Sequence, residues 1–187
     1  VQAELVALLG HVQAILGRGD EGLRVDLQEL QSVLDSTHHY IDHIHLNEAQ
    51  GAEWQRLVAL IHSLDHLQRL HERCEEEGDR AFTAKNTPGL SQQTQLLLST
   101  IEELLPLIKA KEWAKAAQVT RQTNYEIHTI KPEYRASVMA GIATGELGVH
   151  EGTGYLQAIR WLDRVSAHLA RICARLNESV INAAQGG

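Results

Sequence analysis

Hydrophobic residues recur along this chain at three- and four-residue steps, the spacing that gathers side chains on one face of an α-helix. Residues 1–17 carry Leu5, Leu8, Leu9, Val12, Ile15 and Leu16. Gly17, Gly19, Asp20 and Gly22 interrupt the pattern, and residues 23–46 resume it with Leu23, Leu27, Leu30, Val33, Leu34, Ile41 and Ile44. A turn over residues 47–51 leads into residues 52–77, which carry Trp54, Leu57, Val58, Ile61, Leu64, Leu67, Leu70 and Cys74. Residues 78–90 read as a linker, because Lys85-Asn86-Thr87-Pro88-Gly89 is turn chemistry. Ser91 is the expected N-cap of a helix reaching about residue 110, with Pro106 predicting a kink or an early stop. Residues 112–145 predict a long helix kinked at Pro132. Residues 146–154, with Gly148, Gly152 and Gly154, read as a turn. The last helix, over 155–182, is striped by Leu156, Ile159, Leu162, Val165, Leu169, Ile172, Leu176 and Val180.

The pattern predicts six helices in two groups of three. The first group covers about residues 1–79, the linker about 80–90 and the second group about 91–183. Setting the third predicted helix against the sixth pairs Ile61 with Leu156, Leu64 with Ile159, Leu67 with Leu162, Arg69 with Arg164 and Leu70 with Val165. No run of alternating β-branched residues appears, so an all-α fold is expected.

Composition agrees with this. Hydrophobic residues make up 43% of the chain and aromatics only 4%, so the apolar content is mainly Leu, Ile, Val and Ala, which suits helix packing. The net charge of −7 argues against nucleic acid as a partner, because phosphate backbones need clustered Lys and Arg. Cys74 and Cys173 lie far apart inside helical patterns and read as buried thiols in a reducing compartment. No stretch of 18 apolar residues is present. The start at Val1 and the end at Gly186-Gly187 suggest a piece of a longer protein. No phosphate loop, dinucleotide fingerprint or nucleophile elbow occurs, and the chain is expected not to be an enzyme.

Eleven histidines are many for this length. His38, His39, His43 and His45 fall on the second predicted helix, and His62, His66 and His71 on the third. His39 with His43, and His62 with His66, are spaced i, i+4, so each pair shares a helix face. On neighbouring antiparallel helices these four form a candidate site for a divalent or iron-type metal. Asp35, Asp42, Asp65 and Glu72 are nearby carboxylates of the sort a hemerythrin- or ferritin-type bundle uses, but the Glu-x-x-His pattern is absent. The apolar stripes run through Leu and Ile, so most of these histidines are expected to face solvent.

The third predicted helix contains Leu67-Gln68-Arg69-Leu70-His71-Glu72-Arg73, and the sixth contains Leu162-Asp163-Arg164-Val165-Ser166-Ala167-His168. Both resemble the Leu-Glu-Arg-Ile-Gly-Asp-His stretch that closes each three-helix repeat of PhoU proteins. Trp113-Ala114-Lys115-Ala116, Tyr134-Arg135 and Arg160-Trp161-Leu162-Asp163-Arg164 with His168 are similar to the PhoU-like tails of sodium/phosphate cotransporter-family proteins. The resemblance covers nearly all of residues 1–183. It implies a six-helix PhoU-like bundle of two three-helix repeats. It implies a regulatory domain on the cytoplasmic face of the inner (plasma) membrane, modulating transport of phosphate or a related anion. The implied partner is the transporter membrane domain of the same polypeptide, with a second copy of the chain as a further one. A free-standing PhoU-type phosphate-signalling regulator is one alternative, and a metal-binding helical bundle of hemerythrin or ferritin type, suggested by the histidines, is the other.

Some PhoU proteins bind metal through carboxylate pairs four residues apart on those two helices. Here the pairs are Gln68 with Glu72 and Asp163 with Ala167, so Glu72 and Asp163 are the surviving carboxylates and the multinuclear site is expected to be weakened or lost. Arg160, Arg164, Arg171 and Arg175 recur on the last helix, and with Arg69, Arg73 and His168 they are candidates for contact with an anion or an acidic partner. The competing expectation is intrahelical pairing, of Arg69 with Glu72 and of Arg73 with Glu76 or Glu77.

Overall fold

The computed structural model describes residues 1–17, 23–44, 51–75 and 77–185, with backbone alone at 77–79 and 185. Seven α-helices are present among the described residues and no strand: α1 (Gln2–Ile15), α2 (Leu27–Asp42), α3 (Ala52–Glu75), α4 (Glu77–Asn86), α5 (Ser91–Lys109), α6 (Trp113–Thr144) and α7 (Val149–Gln185). One 3-10 turn, Pro88–Leu90, joins α4 to α5. The expected breaks at Gly19, Asp20 and Gly22, the turn residues 47–50 and His45 lie outside the described residues. No described helix is long and apolar enough to cross a membrane.

Helix α7 is the axis of the molecule, packed along α3 on one side and α6 on the other. At 37 residues it is about 55 Å long. Its predicted stripe is buried from Ile159 through Leu162, Val165, Leu169 and Ile172 to Leu176, while Val180 at its end is exposed. Because α7 has neighbours on two sides, Ala158, Trp161, Ser166 and Cys173 are buried as well. Trp161 Nε1 donates to the Arg73 carbonyl at 2.9 Å, and the His66 and His168 rings lie 5.8 Å apart, so α3 runs antiparallel to α7. Asn124 donates to Ser166 and His128 meets Asp163, which makes α6 and α7 an antiparallel hairpin. Helices α1 and α2 both pack on α3, and α1 also touches α5.

The segment expected to be a linker is helix α4 over most of its length. Between Gly78 and Pro88 no residue breaks a helix, and the small side chains of Ala81 and Ala84 are buried against the bundle. Ser91 does not cap α5, since its hydroxyl donates to the Pro88 carbonyl at 2.9 Å and Leu90 holds the capping position. The side-chain cap stands at α2 instead, where Asp26 Oδ1 accepts from the backbone N–H groups of Gln28 and Glu29. That cap starts α2 at Leu27, later than residue 23. Pro106 and Pro132 both lie inside continuous helices.

Helix α6 ends on Gly145, which takes the left-handed conformation at φ 79°. Helix α7 then begins at Val149, so Gly152 and Gly154 are helical residues and not part of a turn. Gly152 has a packing reason to lack a side chain: a Cβ there would stand 2.5 Å from Ile142 Cδ1 on α6.

Candidate functional site

The two motif stretches meet at the seam between α3 and α7. Arg73 on α3 is tied to Trp161 on α7 through its carbonyl, and His66 faces His168 about two helical turns further along. His168 is 9% exposed, and its Nδ1 and that of His66 are buried without a hydrogen-bond partner among the described residues. Burial first, then the facing His66 and the guanidinium groups of Arg171, Arg73 and Arg69, holds the His168 imidazole down at about 4. His66 is also held below its ordinary value, chiefly by burial and then by Arg171. Both rings are therefore neutral near pH 7 in a positive field. The same field opposes a divalent cation at this place.

The pairing of Arg69 differs from the expected one. Arg69 Nε donates to Asp65 Oδ2 at 3.1 Å, and that hydrogen bond is the main reason the Asp65 carboxyl sits below the usual range. Arg73 donates to its neighbour Glu72 at 3.3 Å. The i, i−4 geometry suits the short Asp65 side chain. The side chains of Glu76 and Glu77 lie outside the described residues.

Asp163 is almost out of solvent and engaged twice by α6. Its Oδ1 is 2.8 Å from His128 Nδ1, and its Oδ2 accepts from Lys131 Nζ at 2.5 Å. One turn on, Ser166 Oγ accepts from Asn124. These contacts fix the register of α6 against α7. They also occupy both oxygens of the Asp163 carboxylate, while Glu72, the other expected metal carboxylate, is engaged by Arg73.

The four candidate metal histidines are spread over different surroundings. His39 and His43 are exposed, with ring centroids 4.5 Å apart, and His43 Nδ1 is 2.7 Å from the His39 carbonyl. His62 is exposed on α3, whereas His66 turns toward α7. Among the described residues, no three His, Cys, Asp or Glu side chains come together as a group able to hold a metal ion. Of the histidines on α2 and α3 only His71 is buried among the described residues; His11 on α1 and His168 on α7 are buried as well. His11 Nδ1 accepts from the Val25 N–H at 3.2 Å, and His71 Nε2 is 2.7 Å from the Leu27 carbonyl. Each thereby satisfies a backbone group of the segment that enters α2.

Near the first half of α7, the structure forms a small recess of about 100 Å³ lined by Arg80, Gln157, Arg160, Trp161 and Arg164. Arg160 and Arg164 lie one turn apart on the exposed side of α7, and Arg80 comes from α4. Sequence reasoning singled out Arg160 and Arg164 but missed Arg80, because residue 80 fell in the supposed linker. The helical spacing of Ala81 and Ala84, buried beside it, was the available signal. His128 and Lys131 were missed as well. Lone polar residues on a long helix carry no mark of what they will face.

Comparison with protein-family models, with curated proteins and with solved structures finds no match to this chain. The functional reading therefore rests on the residues and their geometry.

Proposed function

We propose that this chain is a PhoU-like regulatory domain, attached to the cytoplasmic side of a sodium/phosphate cotransporter-like protein, that modulates anion transport by docking against the transporter. The observation that carries the reading is the seam. The last helix of each three-helix group, α3 and α7, packs antiparallel against the other, and the two arginine-bearing motif stretches meet there. The first helices of the proposed groups, α1 and α5, also touch, and on this reading α4 is an added element between the groups. Long rigid helices transmit a docking event, and the exposed Arg160 and Arg164 offer a charged surface to an acidic loop.

The test is fractionation of cells with an antibody to this domain. A membrane-bound product much larger than 20.8 kDa is expected. A soluble product near 20.8 kDa would refute the transporter tail and leave the free-standing regulator. In the full-length protein, Arg164→Ala is expected to change anion uptake while the circular dichroism of the domain stays unchanged.

A further inference from the structure

We propose that the recess between α4 and α7 is a binding site for a phosphate-type oxyanion, held by Arg80, Arg160 and Arg164. The inference rests on the recess alone and does not require the transporter reading. Its walls carry three guanidinium groups from two helices, with Gln157 one turn before Arg160 as a further donor. Trp161 closes the floor: it is 2% exposed, and its indole N–H is already committed to the Arg73 carbonyl. Among the described residues no carboxylate lines the recess.

The arginines of α7 fall into two kinds. Arg175 is paired with Glu178 at 2.7 Å, and on α3 Arg69 and Arg73 each hold a carboxylate. Arg160 and Arg164 are in no ion pair among the described residues, although the chain carries a net charge of −7. Like charges at i, i+4 on a helix repel each other. An anion seated between them removes that repulsion and gains charge-assisted hydrogen bonds. The guanidinium fork matches phosphate oxygens, and the forks of Arg160 and Arg164, with Arg80 lining the recess from α4, suit such an oxyanion. A recess of about 100 Å³ has room for several waters, and so for one such group with the rest of its carrier in solvent. That carrier is either nothing, as in free phosphate, or a lipid whose headgroup bears the phosphate.

The experiment is calorimetric titration of the 187-residue chain with inorganic phosphate at constant ionic strength, beside sedimentation with vesicles containing phosphatidic acid. Wild type is expected to bind one of the two probes. Arg160→Ala and Arg164→Ala are each expected to weaken that binding at least tenfold. Arg164→Lys, which keeps the charge and loses the fork, should fall between, and Arg56→Ala, an exposed arginine elsewhere on α3, should match wild type. Binding of phosphate in solution identifies a free anion as the source, and binding to vesicles alone identifies a lipid headgroup. Arg160 and Arg164 are exposed, so circular dichroism should show every variant folded. Failure of wild type to bind either probe overturns the proposal. So does an equal loss in Arg56→Ala, which would mean a diffuse field and not a site.

Discussion

Asp163 has an 11% exposed side chain, while its partners Lys131 and His128 are 32% and 65% exposed. The two ends of this network therefore respond differently to mutation. Removing the carboxylate leaves Lys131 and His128, whose side chains can turn to water. Removing Lys131 leaves a nearly buried charge short of its main donor. We expect Asp163→Asn to lower stability by about 1 kcal/mol and Lys131→Ala by about 2 kcal/mol, the ordinary range for a charged hydrogen bond lost on one side. Urea denaturation at pH 7 checks the order, and a larger loss in Asp163→Asn would show that the network does not anchor the carboxylate. The same geometry makes Arg164, and not its neighbour Asp163, the clean surface probe of regulation. Burial separates chemistry in the same way at Cys173, whose thiol is pushed up to about 12 and so is held in its unreactive form.

Among the elements, α6 is the one whose chemistry and shape pull apart. Pro132 lies within it, with no N–H to offer the carbonyl of His128 four residues back. The helix continues because α7 lies along it on both sides of that residue, with Asp163 drawing on His128 and Lys131 and Val138 buried further on. Packing therefore overrides a breaker that costs about 3 kcal/mol in a helix without such support. Pro132 is exposed, so alanine has room there. Pro132→Ala is expected to raise stability by about 1–3 kcal/mol, as restored hydrogen bonding outweighs the greater freedom of the unfolded chain. A thermal or urea midpoint at or below wild type would mean that Pro132 is already accommodated without strain. Helix α7 makes the reverse point. Gly148, Gly152 and Gly154 look like turn residues, yet Gly152 is helical, and it is glycine because Ile142 leaves no space for a side chain.

At the scale of the molecule, the α3–α7 seam joins helices distant in the chain, and it carries a titratable group that resists protonation. His168 is faced by His66, Arg69 and Arg73 from α3 and by Arg171 from its own helix, with the Asp65 carboxylate as the nearby negative charge. The unfolded chain protonates this ring near 6.5, while the folded chain resists until about 4. Between those values the unfolded state binds more protons, so the stability present above pH 6.5 is lost as the pH falls. The loss at pH 4 is about 3 kcal/mol for a shift of this size. His66 adds to it in the same direction, whereas Asp65, held low by Arg69, acts only below its ordinary value of 3.8. His168→Leu is expected to flatten the decline in urea midpoint between pH 6.5 and 4. If the variant keeps the wild-type slope, the acid sensitivity arises elsewhere.

Helical class and the six longest helical segments were legible in the sequence, because hydrophobic spacing is a local property that each segment carries by itself. The buried stripe of α7 from Ile159 to Leu176 was readable for the same reason. Arg160 and Arg164 could be placed on one face from their spacing alone. Tertiary structure decided which residues gain a partner on another helix. It made α4 out of a supposed linker by burying Ala81 and Ala84, and so brought Arg80 to the recess. It set Asp163 against Lys131 and His128 of α6 and turned His66 toward His168. Those outcomes depend on the register between helices distant in the chain. That register follows from the packing of whole faces, and no single stretch of sequence contains it.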